Sequence, residues 1–141
     1  MKISAKVDYA CRALLELALH WPNSTPMQVA AIAKRQKIPM NFLVHILITL
    51  KQLGYVDSTR GKSGGYILVK APQDIKMGEV IKSFGGFGLS EVGGRKSKSV
   101  HVMDVLWQEV DKAVLNSIKD ITLETITNRE RSRGSAIMYE I

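Results

Sequence analysis

The sequence predicts a mainly α-helical chain with a small β-hairpin wing: a winged helix-turn-helix followed by a long C-terminal dimerisation helix. Three observations predict it. Residues 25–53 carry two apolar repeats of helical period, split at Ile38-Pro39. Residues 55–69 read as two short strands around a basic, glycine-rich tip. The positive charge is also unevenly placed. Residues 1–70 hold ten Lys or Arg against three Asp or Glu, whereas residues 71–141 hold ten of each. The whole excess of +7 therefore lies with the helix pair and hairpin, which points to a polyanion as partner.

Length and composition set the bounds. A chain of 141 residues, 45% hydrophobic, suits one globular domain with a small appendage. The longest apolar run, residues 38–50, contains Asn41 and His45 and is too short to span a bilayer. The start, Met-Lys-Ile-Ser-Ala-Lys, lacks the apolar core of a signal peptide, so a soluble, cytoplasmic protein without a membrane partner is expected. A single cysteine excludes an intrachain disulfide. No nucleophile–base pair, metal-ligand spacing or cofactor loop is present, so an enzyme is not expected.

Ser4 is placed to cap a first helix that ends near His20. Val7, Cys11, Leu14 and Ala18 share one face, with Ala10 and Leu17 beside them, and Cys11 reads as a small core residue. Asp8 and Arg12 are i, i+4 neighbours. Trp21 to Ser24 is a loop. Thr25, Pro26 and Gln28 have the spacing of a capping box with proline at the first helical position. Val29, Ile32 and Ala33 then form the buried stripe of the second helix, and Lys34, Arg35 and Lys37 suit its C-terminal end. Proline at 39 forces a break.

The third helix should run from about Pro39 to Leu53, burying Leu43, Ile46, Leu47, Leu50 and Leu53. Asn41, Val44, His45, Ile48 and Gln52 point away. Apolar Val44 and Ile48 on that outer face fit two readings: packing against another part of the domain or a partner chain, or contact with thymine methyl groups. Gly54 is a helix stop. Tyr55–Thr59 and Tyr66–Val69 read as strands, joined by Arg60-Gly61-Lys62-Ser63-Gly64-Gly65. The glycines permit positive φ and close approach to a sugar-phosphate surface. Gly61-Lys62-Ser63 imitates a nucleotide-binding loop, but the glycine needed five residues earlier is Val56 and no helix follows.

Ala71 to Asp74 is a turn, and Met77, Val80, Ile81 and Phe84 predict a short helix over 76–84. Residues 85–99 read as a flexible loop by composition. From about Val100 to Asp120 a long helix returns, with Met103, Leu106, Trp107, Val110, Ala113, Val114, Ser117 and Ile118 at helical spacing. Its wide apolar face predicts a second copy as partner. Residues 121–126 are expected as a tailpiece clasping that copy, and 128–141 as an irregular basic tail. The expected organisation is a DNA-binding domain over 1–84, a loop over 85–99, a dimerisation helix and tailpiece over 100–127, and a tail over 128–141.

Several segments carry a resemblance: KVDYACRALLELA (Lys6–Ala18), AIAKRQKIPMNFL (Ala31–Leu43), LGYVDSTRGKSGGY (Leu53–Tyr66), MGEVI (Met77–Ile81), and Leu106-Trp107 with Ile121-Thr122-Leu123. In these the chain resembles the Rrf2 family of bacterial transcription regulators. The resemblance implies a homodimer clasped through Met103, Leu106, Trp107, Val110, Val114 and Ile118. It implies double-stranded DNA as partner, contacted from the helix pair by Met27, Gln28, Pro39, Asn41, Phe42, Val44, His45 and Thr49. From the wing it implies Arg60, Gly61, Lys62, Ser63, Gly64, Gly65 and Tyr66, with Arg60 in the minor groove.

Two departures matter. Where one cluster-binding member has a base-reading glutamate, this chain has Val44, so the operator does not carry over. Cluster-binding members also hold iron through three cysteines in the loop before the long helix, and residues 85–99 contain none. Asp8 and His101 have no evident second ligand. The chain resembles the cluster-free branch, with no metal or cofactor. Its signal is left open among a small-molecule effector, a protein effector and cysteine modification, the last least favoured for a buried Cys11. The alternative function is a winged-helix protein-interaction adaptor sensing through a partner protein.

Overall fold

A computed structural model of the protein describes residues 2–89 and 101–140, with side chains through Gly134. Helix α1 (Ala5–Leu19) lies at the centre, against α2 (Val29–Gln36), α3 (Met40–Gln52), α4 (Met77–Ser83) and α6 (Leu123–Glu140). Its start is fixed by Ser4, whose hydroxyl accepts the Val7 N–H at 3.2 Å. Ala10, Ala13, Leu14 and Leu17 form its buried face. Asp8 and Arg12 pair at 2.9 Å on the outside.

The expected capping box does not form. Met27 is held extended by two backbone bonds to Tyr66: its N–H donates to the Tyr66 carbonyl (2.9 Å) and its carbonyl accepts the Tyr66 N–H (2.8 Å). Helical dihedrals at Met27 would forfeit both, so α2 starts at Val29, with Gln28 as N-cap. The Gln28 amide instead donates to the Lys62 carbonyl at 3.1 Å.

Helix α2 ends at Lys37, which adopts φ 54°, ψ 50°. The Ile38 N–H then returns to the Ala33 carbonyl (3.0 Å) and Ile38 drops into the core. Left-handed backbone at a lysine costs of order 1 kcal/mol. Helix α3 follows, burying Leu43, Ile46, Leu47 and Leu50. Leu53 departs from expectation and is exposed. Gly54, at φ 86°, turns the chain there. The Gly54 N–H bonds to the Lys51 carbonyl and the Tyr55 N–H to the Leu50 carbonyl, at 3.0 and 3.1 Å. In this Schellman arrangement the residue after the glycine covers the last turn. Tyr55 fills the place expected for Leu53.

Strands β1 (Val56–Thr59) and β2 (Gly65–Leu68) pair antiparallel, Val56 opposite Leu68 and Thr59 opposite Gly65. Strand β1 begins one residue later than expected and ends as expected, and β2 is shifted one residue toward the N-terminus. A single 3-10 turn (Pro72–Asp74) leads to α4, which places Met77, Val80 and Phe84 in the core. Most of the expected loop 85–99 lies outside the described residues.

Helix α5 (Val102–Ser117) is shorter than the twenty residues expected. His101 caps it: its Nδ1 accepts the Met103 N–H, and Asp104 accepts the His101 N–H, both at 3.1 Å. None of its residues is buried. Two expectations for the C-terminal part are corrected. The tailpiece clasps its own domain: the Met77 N–H donates to the Ile121 carbonyl, the Leu123 N–H to the Ile75 carbonyl, and Leu123 is fully buried. The basic stretch from 128 is not irregular but continues α6 to Glu140. Thr122 and Thr125 cap that helix reciprocally, Thr127 anchors it from the core, and Glu130 pairs with Arg133 at 2.9 Å.

Cys11 is half-buried against the core, and burial, with Asp8 adding to it, pushes its thiol up from 9.0 to about 11. A thiol with a raised folded-state pKa stabilises the fold fully below pH 9 and loses that contribution as pH climbs through 11. Wild type should therefore lose about 2 kcal/mol between pH 8 and 10.5 beyond the loss in Cys11→Ala. Urea denaturation of both proteins at the two pH values checks this. Tyr55, also raised by burial, titrates in both proteins and cancels.

Candidate nucleic-acid interface

Helix α3 presents the face that the core does not use. Asn41, Phe42, Val44 and His45 are exposed, and Val44 and Ile48 are 41% and 43% exposed although apolar. Burying four leucine and isoleucine side chains on one side fixes the rotation of the helix, so these residues cannot turn inward. Phe42 leans on Tyr9 of α1, ring centroids 6.1 Å apart. Pro39 is the exposed N-cap. Thr49 is half-buried and donates its hydroxyl to the His45 carbonyl at 3.1 Å.

The wing is built around a backbone constraint. Gly65 lies at φ 152°, and a Cβ there would collide with the carbonyl group of Met27. Gly64 is buried, and a Cβ on it would meet the Thr59 carbonyl oxygen. Gly61, at φ 105°, faces open space at the tip. Arg60, Gly61, Lys62 and Ser63 are exposed, and Arg60 and Lys62 have no ion pair among the described residues. Tyr66 is half-buried against the core.

Three contacts tie wing and helix pair together: the Met27–Tyr66 bridge, the Gln28–Lys62 bond, and Lys51. The Lys51 ammonium donates to the Ser58 hydroxyl at 2.7 Å and lies 3.7 Å from Asp57. Met27, Gly64, Gly65 and Tyr66 thus act as scaffold, while Gln28 has one face outward and its amide engaged. Of the cations on the helix pair and wing, Lys34, Lys37 and Lys62 are exposed and have no ion pair among the described residues. Lys51 is engaged as above, and Arg35 is drawn to Glu16.

Glu16 went unnoticed in the sequence. It is buried on α1, with Arg35 at 3.3 Å and the Gln36 amide at 3.0 Å, and it fastens α2 to α1. The available signal was an acidic residue amid the apolar face of α1. On α5, Met103 and Leu106 are exposed and Trp107, Val110 and Val114 half-exposed. Ile118 differs, since it lines an apolar pocket of its own chain with Cys11, Met77 and Ile121.

No helix among the described residues is long and apolar enough to cross a membrane. The arrangement lets a helix and a cationic tip contact a polyanion. Comparison with known proteins agrees. Residues 3–129 match the family described as Rrf2, iron-dependent transcriptional regulator. A helix-turn-helix-type transcriptional regulator of Synechocystis is 46% identical over 81 residues, 57% of this chain but only 54% of that protein's length. The regulator IscR of Erwinia tasmaniensis is 31% identical over 92% of this chain and 81% of its own. Among solved structures, T. potens IscR superposes with a TM-score of 0.73 at 31% identity, covering 92% of this chain and 88% of that one. CymR, the global cysteine regulator of B. subtilis, gives 0.71 at 28% identity, covering 92% and 98%. This winged-helix chain is not an enzyme by kinship; it belongs to the Rrf2 family of transcriptional regulators.

Proposed function

We propose that this regulator binds a pseudo-palindromic operator as a homodimer, with α3 in the major groove and the Arg60 wing in the adjoining minor groove. The observation that carries the reading is the coupling of the two elements. The Met27–Tyr66 bridge, the Gln28–Lys62 bond and the Lys51–Ser58 bond hold the wing to the helix pair. Asn41, Val44 and His45 then face base edges, and Lys34, Lys37 and Lys62 face phosphates. Binding should weaken steeply with salt, through release of counterions.

Val44 makes the base preference specific. An isopropyl group offers no hydrogen bond, and its natural counterpart in the major groove is a thymine methyl. Val44→Glu should move the preference at that base pair from thymine toward cytosine, whose N4 amino group a carboxylate accepts. The expected change in discrimination is about 1–3 kcal/mol. Competition binding with duplexes substituted at each position measures it; an unchanged preference at every position removes Val44 from the reading face.

A second copy explains the apolar side of α5, where Met103 and Leu106 stand exposed. Sedimentation should give twice the 15.7 kDa chain mass. Leu106→Asp should raise the dimer dissociation constant by at least about tenfold. A wild-type monomer would contradict the proposed assembly.

The family's description mentions iron, and the residues here do not fit an iron–sulfur cluster. Such clusters need several thiolates. The chain has one cysteine, whose thiol burial keeps protonated. His101 spends its Nδ1 on the α5 cap, and Asp8 is paired with Arg12. The signal therefore enters by another route.

A further inference from the structure

We propose that the cleft between α4 and α5 binds a small polyanion, of the phosphate or polycarboxylate class, as the regulator's effector. The cleft is an open groove of about 370 Å³, lined by Lys76 and Lys82 from the α4 side and by Lys112 and Lys119 from the α5 side. It continues, through Lys82 and Lys112, into a second hollow of about 400 Å³. Two carboxylates line the pair of hollows, Glu79 in the first and Asp111 in the second. None of the four lysines lies within ion-pair distance of either, or of any carboxylate among the described residues. Asn116 adds a neutral donor to the first hollow.

Size and shape select the ligand class. Several hundred cubic ångströms suit a metabolite-sized molecule. A concave site between two helices is poorly shaped for duplex DNA, which the wing and α3 meet as projections. Four exposed lysines line the one hollow, none of them in an ion pair among the described residues, which favours a ligand carrying at least two negative charges.

The cleft also lies off the helix face given to the second copy in the assembly proposed above. Residues on a helix advance about 100° each, so Lys112 lies roughly opposite Met103 around α5. The apolar stripe and the lysine face are therefore different sides of one helix. Helix α4 packs on α1, within the DNA-binding unit, and α5 is the helix to which the assembly proposed above gives the dimer contact. A polyanion bridging Lys82 and Lys112 fixes the angle between them, and with it the separation of the two recognition helices. This regulatory consequence rests on the DNA-binding reading; the binding site does not.

The test is calorimetric titration of the full chain with inorganic phosphate, pyrophosphate and citrate, at constant ionic strength set with sodium chloride. Saturable binding of pyrophosphate or citrate at one site per chain is expected. It should weaken at least tenfold in the double variant Lys82→Gln, Lys112→Gln and be unchanged in Lys2→Gln. Pyrophosphate preferred over citrate assigns a phosphate ligand, and the reverse a polycarboxylate. No saturable binding by any of the three, or equal binding in the double variant, overturns the proposal. Operator affinity without added anion should be the same in the double variant as in wild type. A fall would make these lysines DNA contacts and also overturn it. Saturable anion binding by a protein that binds no operator would uphold the cleft and reject the DNA reading alone.

Discussion

Gly65→Ala is expected to destabilise the protein by about 3–5 kcal/mol, a sum of backbone strain and collision. The position combines φ 152° with a neighbouring carbonyl, that of Met27, where the new methyl group would sit. Neither can relax cheaply. Moving Gly65 away from Met27 breaks the two bonds that join Met27 to Tyr66, and those bonds attach the wing to the helix pair. Gly61→Ala is the internal control. Gly61 also has positive φ, yet a Cβ there meets open space, so the cost should be about 1 kcal/mol from strain alone. Urea denaturation of the two variants separates steric collision from backbone strain. Equal midpoints would show that the bridge to Met27 does not constrain Gly65.

Arg60→Ala is expected to weaken operator binding by about 1–3 kcal/mol with little change in stability. The side chain is exposed at the wing tip and has no ion pair among the described residues, so its loss leaves no buried group without a partner. Two signatures distinguish a minor-groove arginine from a phosphate contact. The base preference under the wing should relax, because arginine senses the width and potential of a narrow minor groove. By contrast, Lys62→Ala should weaken all sequences alike and flatten the salt dependence by about one charge. Binding measured across a salt series with matched and mismatched duplexes reads both effects. Unaltered affinity in Arg60→Ala would place the wing outside the interface.

The helices were legible wherever periodicity and punctuation agreed. Ser4, the Ile38-Pro39 break and Gly54 mark ends that the structure keeps, and the outward positions Asn41, Val44 and His45 are outward. The misreadings share a cause. Thr25-Pro26-Gln28 has the letters of a capping box, but bonds to Tyr66, some forty positions on, override the local preference. Leu53 fits the stripe of α3, yet the Schellman turn hands its place to Tyr55. Residues 121–126 look like a free clasp until the ladder with Ile75 and Met77 fastens them at home. Glu16 was invisible because its partners, Arg35 and Gln36, lie on another helix. Local rules describe local hydrogen bonds, and each of these choices was made by a distant one.

Selection of duplexes from a random library by the purified protein tests the account most directly. Two half-sites related by a dyad, with centres about 34 Å apart, should be enriched, and sedimentation should find two chains on each duplex. A library that emerges without any enriched sequence, or a single half-site held by one chain, would contradict it.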